Sequence, residues 1–122
     1  MDPQVQHALE QGHLIDITTV GRKTGKPHRI EIRFHNIEGH LYITGRPPRP
    51  RDWYANLLAY PEFTFHLKQS VRADLPARAT PIREQARRQA ILAAIHQKLG
   101  RYSDIEAWVE SSPLVAVELL VE

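Results

Sequence analysis

From His28 to Ile37 the chain alternates residue by residue, with Ile30, Ile32 and Phe34 on one side and Arg29, Glu31, Arg33 and His35 on the other. A two-residue repeat of this length suits an extended strand with one face on a core and the other toward water, which is the pattern of antiparallel sheet. Glu38-Gly39 then turns the chain into Leu41-Tyr42-Ile43-Thr44, a hairpin partner.

Asp2-Pro3 predicts a helix start, an acid cap followed by proline at the first helical position, with the helix running to about Glu10 and stopped by Gly12. His13 to Val20, rich in Ile and Thr, reads as a strand. Gly21 to Pro27 is a polar turn. Asp52 is placed as the N-cap of a short helix, Trp53 to Ala59, ended by Tyr60-Pro61. Phe63, Phe65 and Leu67 alternate with polar residues as a further strand, and Val71 to Thr80 follows as another, with Pro76 forcing a bulge or an edge position. Thr80-Pro81 is taken to open a helix through about Leu99, with Ile82, Ala86, Ala90, Ala93 and Ala94 on its inner face and Gly100 as its stop. Ser103 to Glu110 is a second short helix, and Pro113 to Val121 a last strand. About six mostly hairpin-linked strands with inserted helices give an α+β class on a small antiparallel barrel. One domain is expected over residues 1–122, a helix in 1–12 and barrel with helices in 13–121.

Charge is unevenly spread. Eight of the sixteen Lys and Arg residues lie between Arg22 and Arg51, opposed there by two acids, so the window carries +6 while the whole chain carries +2. Such a window is a place to hold an anion. It opens with Gly21-Arg22-Lys23-Thr24-Gly25 and closes with Arg46-Pro47-Pro48-Arg49-Pro50-Arg51. The first segment reads either as a solvated hairpin tip or as a nest of converging amides with Arg22, Lys23 and Thr24 as added donors. It is not a Walker loop, because the spacing before the Lys-Thr pair is wrong and no helix follows. The second segment is stiffened by prolines, so its arginines lose little freedom on binding. Trp53 and Tyr54 are core residues or, for the Trp, a face for a ring-shaped ligand. The small net charge and short patch argue against nucleic acid. No apolar run reaches eighteen residues, the start lacks a signal-peptide pattern, and no Cys is present, so a cytoplasmic protein without disulfides or thiolate metal sites is expected. No two of the seven His lie at i, i+4 spacing, and a histidine metal site is not expected.

Thr18-Thr19-Val20-Gly21-Arg22-Lys23-Thr24-Gly25-Lys26-Pro27, then Trp53-Tyr54-Ala55-Asn56-Leu57 and Ala59-Tyr60-Pro61, resemble the deazaflavin-dependent nitroreductase and quinone reductase family. Tyr102 to Trp108 and Val115 to Val117 look like that family's C-terminal part, so the likeness covers residues 13 to 121. The resemblance implies a split β-barrel like that of flavin-mononucleotide-binding oxidoreductases, and coenzyme F420 as a hydride carrier with a phosphodiester and an acidic tail. It implies that Arg22, Lys23 and Thr24 meet the anionic part. It implies that His28, Arg29, Ile30, Glu31, Ile32 and Arg33 run beside the cofactor and that Thr44, Gly45 and Arg46 approach its ring. Asp52, Trp53, Tyr54, Ala55 and Asn56 would cradle the ribityl-phosphate side. Arg46 would stabilise developing negative charge and Tyr102 would orient the substrate or relay a proton, making these two the catalytic candidates.

Departures from the family pattern are Arg46 in a serine's place, a proline-rich and shorter loop after it, and Leu99 and Ile105 where better-known members have tyrosines. The expected activity is hydride transfer from reduced F420 to a small-molecule quinone, enone or nitro compound. The alternatives are an FMN enzyme on the same barrel, or a non-enzymatic binder of an acidic amphiphile such as a fatty acid or tetrapyrrole. A homodimer and peripheral membrane contact, without a span, are both compatible with the sequence.

Overall fold

Glu38 and Gly39 take φ values of 54° and 87°, the left-handed pair that a two-residue hairpin needs to match the twist of its strands. They fold β2 (Pro27–Ile37) back onto β3 (His40–Thr44). With β1 (Leu14–Val20), β4 (Glu62–Leu67), β5 (Ala73–Pro81) and β6 (Leu114–Leu119), these strands close a six-stranded antiparallel barrel in the order β1-β2-β3-β6-β5-β4. Four helices are inserted: α1 (Pro3–Leu9), α2 (Asp52–Ala59), α3 (Gln85–Leu99) and α4 (Ile105–Ser111). This computed structural model describes residues 1–48, 51–101 and 104–121. Among them no helix is long and apolar enough to cross a membrane.

The barrel interior is apolar, with Ile15, Ile17, Phe34, Ile43 and Phe65 wholly buried. A second core lies between the barrel wall and the α3–α4 pair, built from Tyr42, Ile82, Leu92, Ile95, Val109 and Leu114. β2 is shared unequally. Pro27 to Arg33 pair with β1, but only Phe34 to Ile37 pair with β3. The Phe34 N–H donates to the His13 carbonyl at 3.1 Å and the Gly21 N–H to Lys26 at 2.8 Å. Because hydrogen bonding alternates along an antiparallel ladder, the even-numbered residues of β2 bond toward β1. The peptide groups of Arg29 and Glu31 therefore point the other way, to a side where no described strand pairs with them.

Several sequence expectations are corrected. β5 runs on to Pro81, and α3 starts four residues later, at Gln85. The inner face of α3 is Arg88, Leu92, Ile95 and His96, while Ala86, Ala90 and Ala93 are exposed. Small apolar residues misled because α3 packs through larger side chains that fill the gap to the barrel. Asp52 is not a cap; Arg51 occupies that position without a side-chain bond, and Asp52 begins the helix. Pro76 makes no bulge, and its position is paired in register on one side only. It lies opposite Thr64 of β4, just before the β5–β6 pairing begins, and its carbonyl accepts the Leu120 N–H at 2.8 Å. Ile30, expected in the core, is exposed, because the first half of β2 extends beyond the barrel wall that β3 completes.

The outer wall is polar. Lys68 donates to Asp16 at 2.8 Å and to Glu31, and Arg29 meets Asp16 at 3.0 Å. The Lys68 hydrogen bond is the chief reason the Asp16 carboxyl is held below its usual range. His66 joins Thr18 and Asp74, each at 2.7 Å.

Arg88 fastens the helices to the barrel. It is 3% exposed, and its guanidinium donates to the carbonyls of Ile82 (2.8 Å), Val109 (2.7 Å), Trp108 (3.1 Å) and Ser112 (2.6 Å). Arg88→Met leaves those buried carbonyls without their donor and is expected to cost about 3–5 kcal/mol, read as a shifted urea midpoint at unchanged slope.

His35, on the outer face of β2 beneath α3, is held down to about 4, first by burial and then by the charges of Arg33, Arg101, His96 and Lys98. An unfolded histidine takes its proton near pH 6.5. Between about pH 6.5 and 4 the unfolded chain therefore binds the extra proton, and stability falls as pH falls through that window. The expected loss is on the order of 3 kcal/mol. Urea melts at pH 7 and pH 4 of the protein and of His35→Gln measure it, and the variant should lose most of the slope.

Candidate functional site

The polar turn between β1 and β2 is tightly wound. Gly25, at φ 73°, donates to the Gly21 carbonyl at 2.8 Å, a left-handed position that suits glycine. The Lys26 N–H is taken by the Thr24 hydroxyl at 3.2 Å. The Arg22 N–H and its Nη1 both donate to Asn56 Oδ1, at 3.1 and 2.9 Å. Asn56 Nδ2 in turn donates to the Thr19 hydroxyl at 3.2 Å. One buried amide of α2 thus joins the end of β1 to the tip of the turn. Arg22 Nη2 also meets Asp52 Oδ1 at 3.3 Å, with that carboxylate almost wholly in water.

These contacts bound a cleft of about 330 Å³, lined by Thr19, Gly21, Arg22, Lys23, Thr24, His28, Ile30, Asp52, Trp53 and Asn56. Its chemistry is divided. Arg22, Lys23, Thr24 and His28 offer donors, whereas Ile30 and Trp53 offer apolar surface. Gly21 has no room to spare: a Cβ there would come within 2.6 Å of His28 Nε2 and 2.9 Å of Thr24 Oγ1. The amide nest read from the sequence is corrected in part. The N–H groups of Gly21, Arg22, Gly25 and Lys26 are bonded inside the turn or to Asn56, so an anion would meet side chains and the peptides of Lys23 and Thr24.

The residues singled out from the sequence divide into groups. Arg22, Lys23, Thr24, His28, Ile30, Asp52, Trp53 and Asn56 are brought together in the cleft. Arg29 and Glu31 turn their side chains into the outer-wall ion network, and Ile32 packs against the barrel core. Arg33 points to Gly12 O at 3.4 Å, on the wall opposite the cleft. Thr44 is buried and donates its hydroxyl to Pro113 O at 2.5 Å. Gly45 lies near Trp53, a Cβ on it being 3.8 Å from the indole. Arg46 is exposed, and its carbonyl accepts from Arg51 Nη2 at 2.8 Å. Tyr54 turns away to a groove between α2 and the α3–α4 pair, edge-on to Trp53 at 5.9 Å, and Ala55 is half-buried beside it. Tyr102 lies outside the described residues. Thr19 and Gly21 line the cleft without having been singled out. The signal for Thr19 was present: it follows Ile15 and Ile17 at two-residue spacing, a polar side chain on the inward face.

A family model described as F420H(2)-dependent quinone reductase matches residues 1–120 of the chain. Solved structures share its fold at low identity. An F420-H2 dependent reductase is 20% identical, with a TM-score of 0.65, over 86% of this chain and 93% of that one. A 5-nitroimidazole antibiotic resistance protein from Bacteroides thetaiotaomicron is 13% identical, with a TM-score of 0.69, over 98% and 81%. The heme storage protein HutZ from Vibrio cholerae is 12% identical, with a TM-score of 0.71, over 99% and 91%. The fold is the split barrel expected from the sequence.

Asn56 is 4% exposed, so Asn56→Ala should cost about 1–3 kcal/mol by leaving Thr19 and the Arg22 N–H without their partner. Asp52→Asn, at a solvated pair, should leave the melting temperature nearly unchanged. Thermal melts of both variants test this ordering, and equal losses would contradict it.

Proposed function

This chain belongs to the F420H(2)-dependent quinone reductase family, and from that premise we propose that it passes hydride from reduced coenzyme F420 to a quinone, enone or nitro compound. As a family member it is an F420-dependent reductase; the acceptor class and the residue roles are our reading. The observation that carries it is the cleft in which Arg22, Lys23 and Thr24 meet Trp53 and Ile30. A ligand with a ring at one end and anionic groups at the other needs that pairing of donors and apolar surface.

The residues fit the cofactor. Arg22, already fixed by Asn56, presents a guanidinium at little entropic cost, and Lys23 adds a mobile ammonium. The close approach at Gly21 keeps His28 and Thr24 at the cleft wall. The peptide groups of Arg29 and Glu31 offer alternating donors and acceptors to a heterocycle lying along β2. Trp53 and Ile30 exclude water from the ring's surface. When bound, the deazaflavin supplies two-electron hydride chemistry, so no side chain is needed as a nucleophile. Arg46 stands close in sequence to Gly45, beside Trp53, and is our choice for stabilising negative charge that develops on the acceptor oxygen. We assign Tyr102 to substrate orientation and place the reaction in the cytoplasm.

Fluorescence titration with F420 tests this reading. Replacing Arg22 and Lys23 together with Ala should weaken binding by about tenfold or more at low salt, with less loss as salt rises. Hydride transfer in the saturated complex should change far less. FMN titrated in parallel should bind more weakly than F420. Equal binding of F420 by the double variant at low salt would contradict the assignment of the basic turn.

A further inference from the structure

On the opposite face of β2 from the cleft is a second, smaller pocket, of about 140 Å³, walled by Gln11, Gly12, Arg33, His35, Lys98 and Leu99. The turn after α1, the middle of β2 and the last turn of α3 meet there. Its polar groups are cationic or neutral. Arg33 Nη1 reaches the Gly12 carbonyl at 3.4 Å, and Lys98 Nζ donates to the Asn36 carbonyl at 2.6 Å. Neither cation is spent on a carboxylate in these contacts, and no Asp or Glu lines the pocket among the described residues.

The imidazoles are the unusual feature. His35 is 8% exposed and His96, just behind it on α3, is 6% exposed. Neither ring nitrogen of His96 finds a hydrogen-bond partner among the described residues. The edge of His96 rests on Trp108 at 4.8 Å. Buried polar side chains are satisfied as a rule, and His96 is an exception beside the pocket wall that His35 forms. Burial and the surrounding charges hold both rings in the neutral form, first through burial, then through Arg101 and, for His35, also Arg33 and Lys98. The pocket thus has positive potential and cations that meet carbonyls but no carboxylate.

We infer that the pocket between β2, α3 and the turn after α1 is a binding site for a small oxyanion, a phosphate or carboxylate group held by His35, Arg33 and Lys98. The volume agrees: a water occupies about 30 Å³, so the space takes a phosphate or a short carboxylate and excludes a nucleotide. An anion there offers acceptors to both cations at once and reverses the reason His35 stays neutral. His35 then takes up one proton from solution and donates to the ligand as imidazolium. The site shares no residue with the cleft and stands or falls independently of the cofactor reading.

The test is a histidine NMR titration of the full-length protein near pH 6, with the His35 signal identified from its loss in His35→Gln. Inorganic phosphate is the first probe and acetate the second, each at constant ionic strength set with chloride. The site predicts a saturable shift of the His35 ring signals toward those of imidazolium, with phosphate or acetate, and a half-saturation at least about fivefold higher in Lys98→Ala. His28 reports phosphate in the cleft separately. Should Lys98→Ala melt early, Arg33→Gln, at an exposed position on the pocket wall, gives the same reading. A His35 signal that drifts in proportion to added salt, responds only alongside His28, or titrates identically in a well-folded Lys98→Ala overturns the inference.

Discussion

Every site in this molecule follows from the way one long strand is divided between two neighbours. β2 has eleven residues, while β3 has five and pairs with only the last four of them. The last four residues of β2 go to β3, whereas Pro27 to Arg33 keep β1 and are left with the other side unpaired. Side chains that would face a core, His28 and Ile30, become the wall of a cleft. Phe34, four residues beyond Ile30, is wholly buried. The change from exposed to buried along one continuous alternation marks where β3 begins to cover the strand.

The same alternation was legible in the amino acids, and so were the hairpin at Glu38-Gly39, the stop at Gly100 and the union of the Gly21–Gly25 turn with the Trp53–Asn56 helix. The start of α3 was not. Thr80-Pro81 resembles a helix opening by local chemistry, but by running on to Pro81 β5 gains pairing of Thr80 and Pro81 with β6, and tertiary pairing outweighs a local preference. The inner face of α3 was missed for a related reason. Arg88 is a charge in a core position, and four carbonyls from three separate segments surround it. No periodicity in one segment foretells acceptors contributed by others.

Within the basic window, the charges have different fates once the chain is folded. Arg22 is tied to Asn56 and Asp52, Arg29 to Asp16, and Arg33 approaches Gly12. A local count of positive residues therefore overstates how many share one wall of the fold. Strand geometry explains the division: on β2, Arg29 and Arg33 lie on the face opposite His28 and Ile30, so a single segment serves two walls. The electrostatic field of the window is split between the cleft and the outer surface.

The half-open strand carries one more consequence, for the behaviour of many copies together. A bare row of peptide groups is a template on which a neighbouring molecule's strand can add, the first step toward fibrils and precipitates. Here that row begins at a proline, which has no N–H to give, and carries Arg29, Glu31 and Arg33 in alternation on its outward face. An incoming copy in register would have to bring like charges together and desolvate them. The residues that make the outer wall polar thus also oppose the in-register addition of a second copy along that edge.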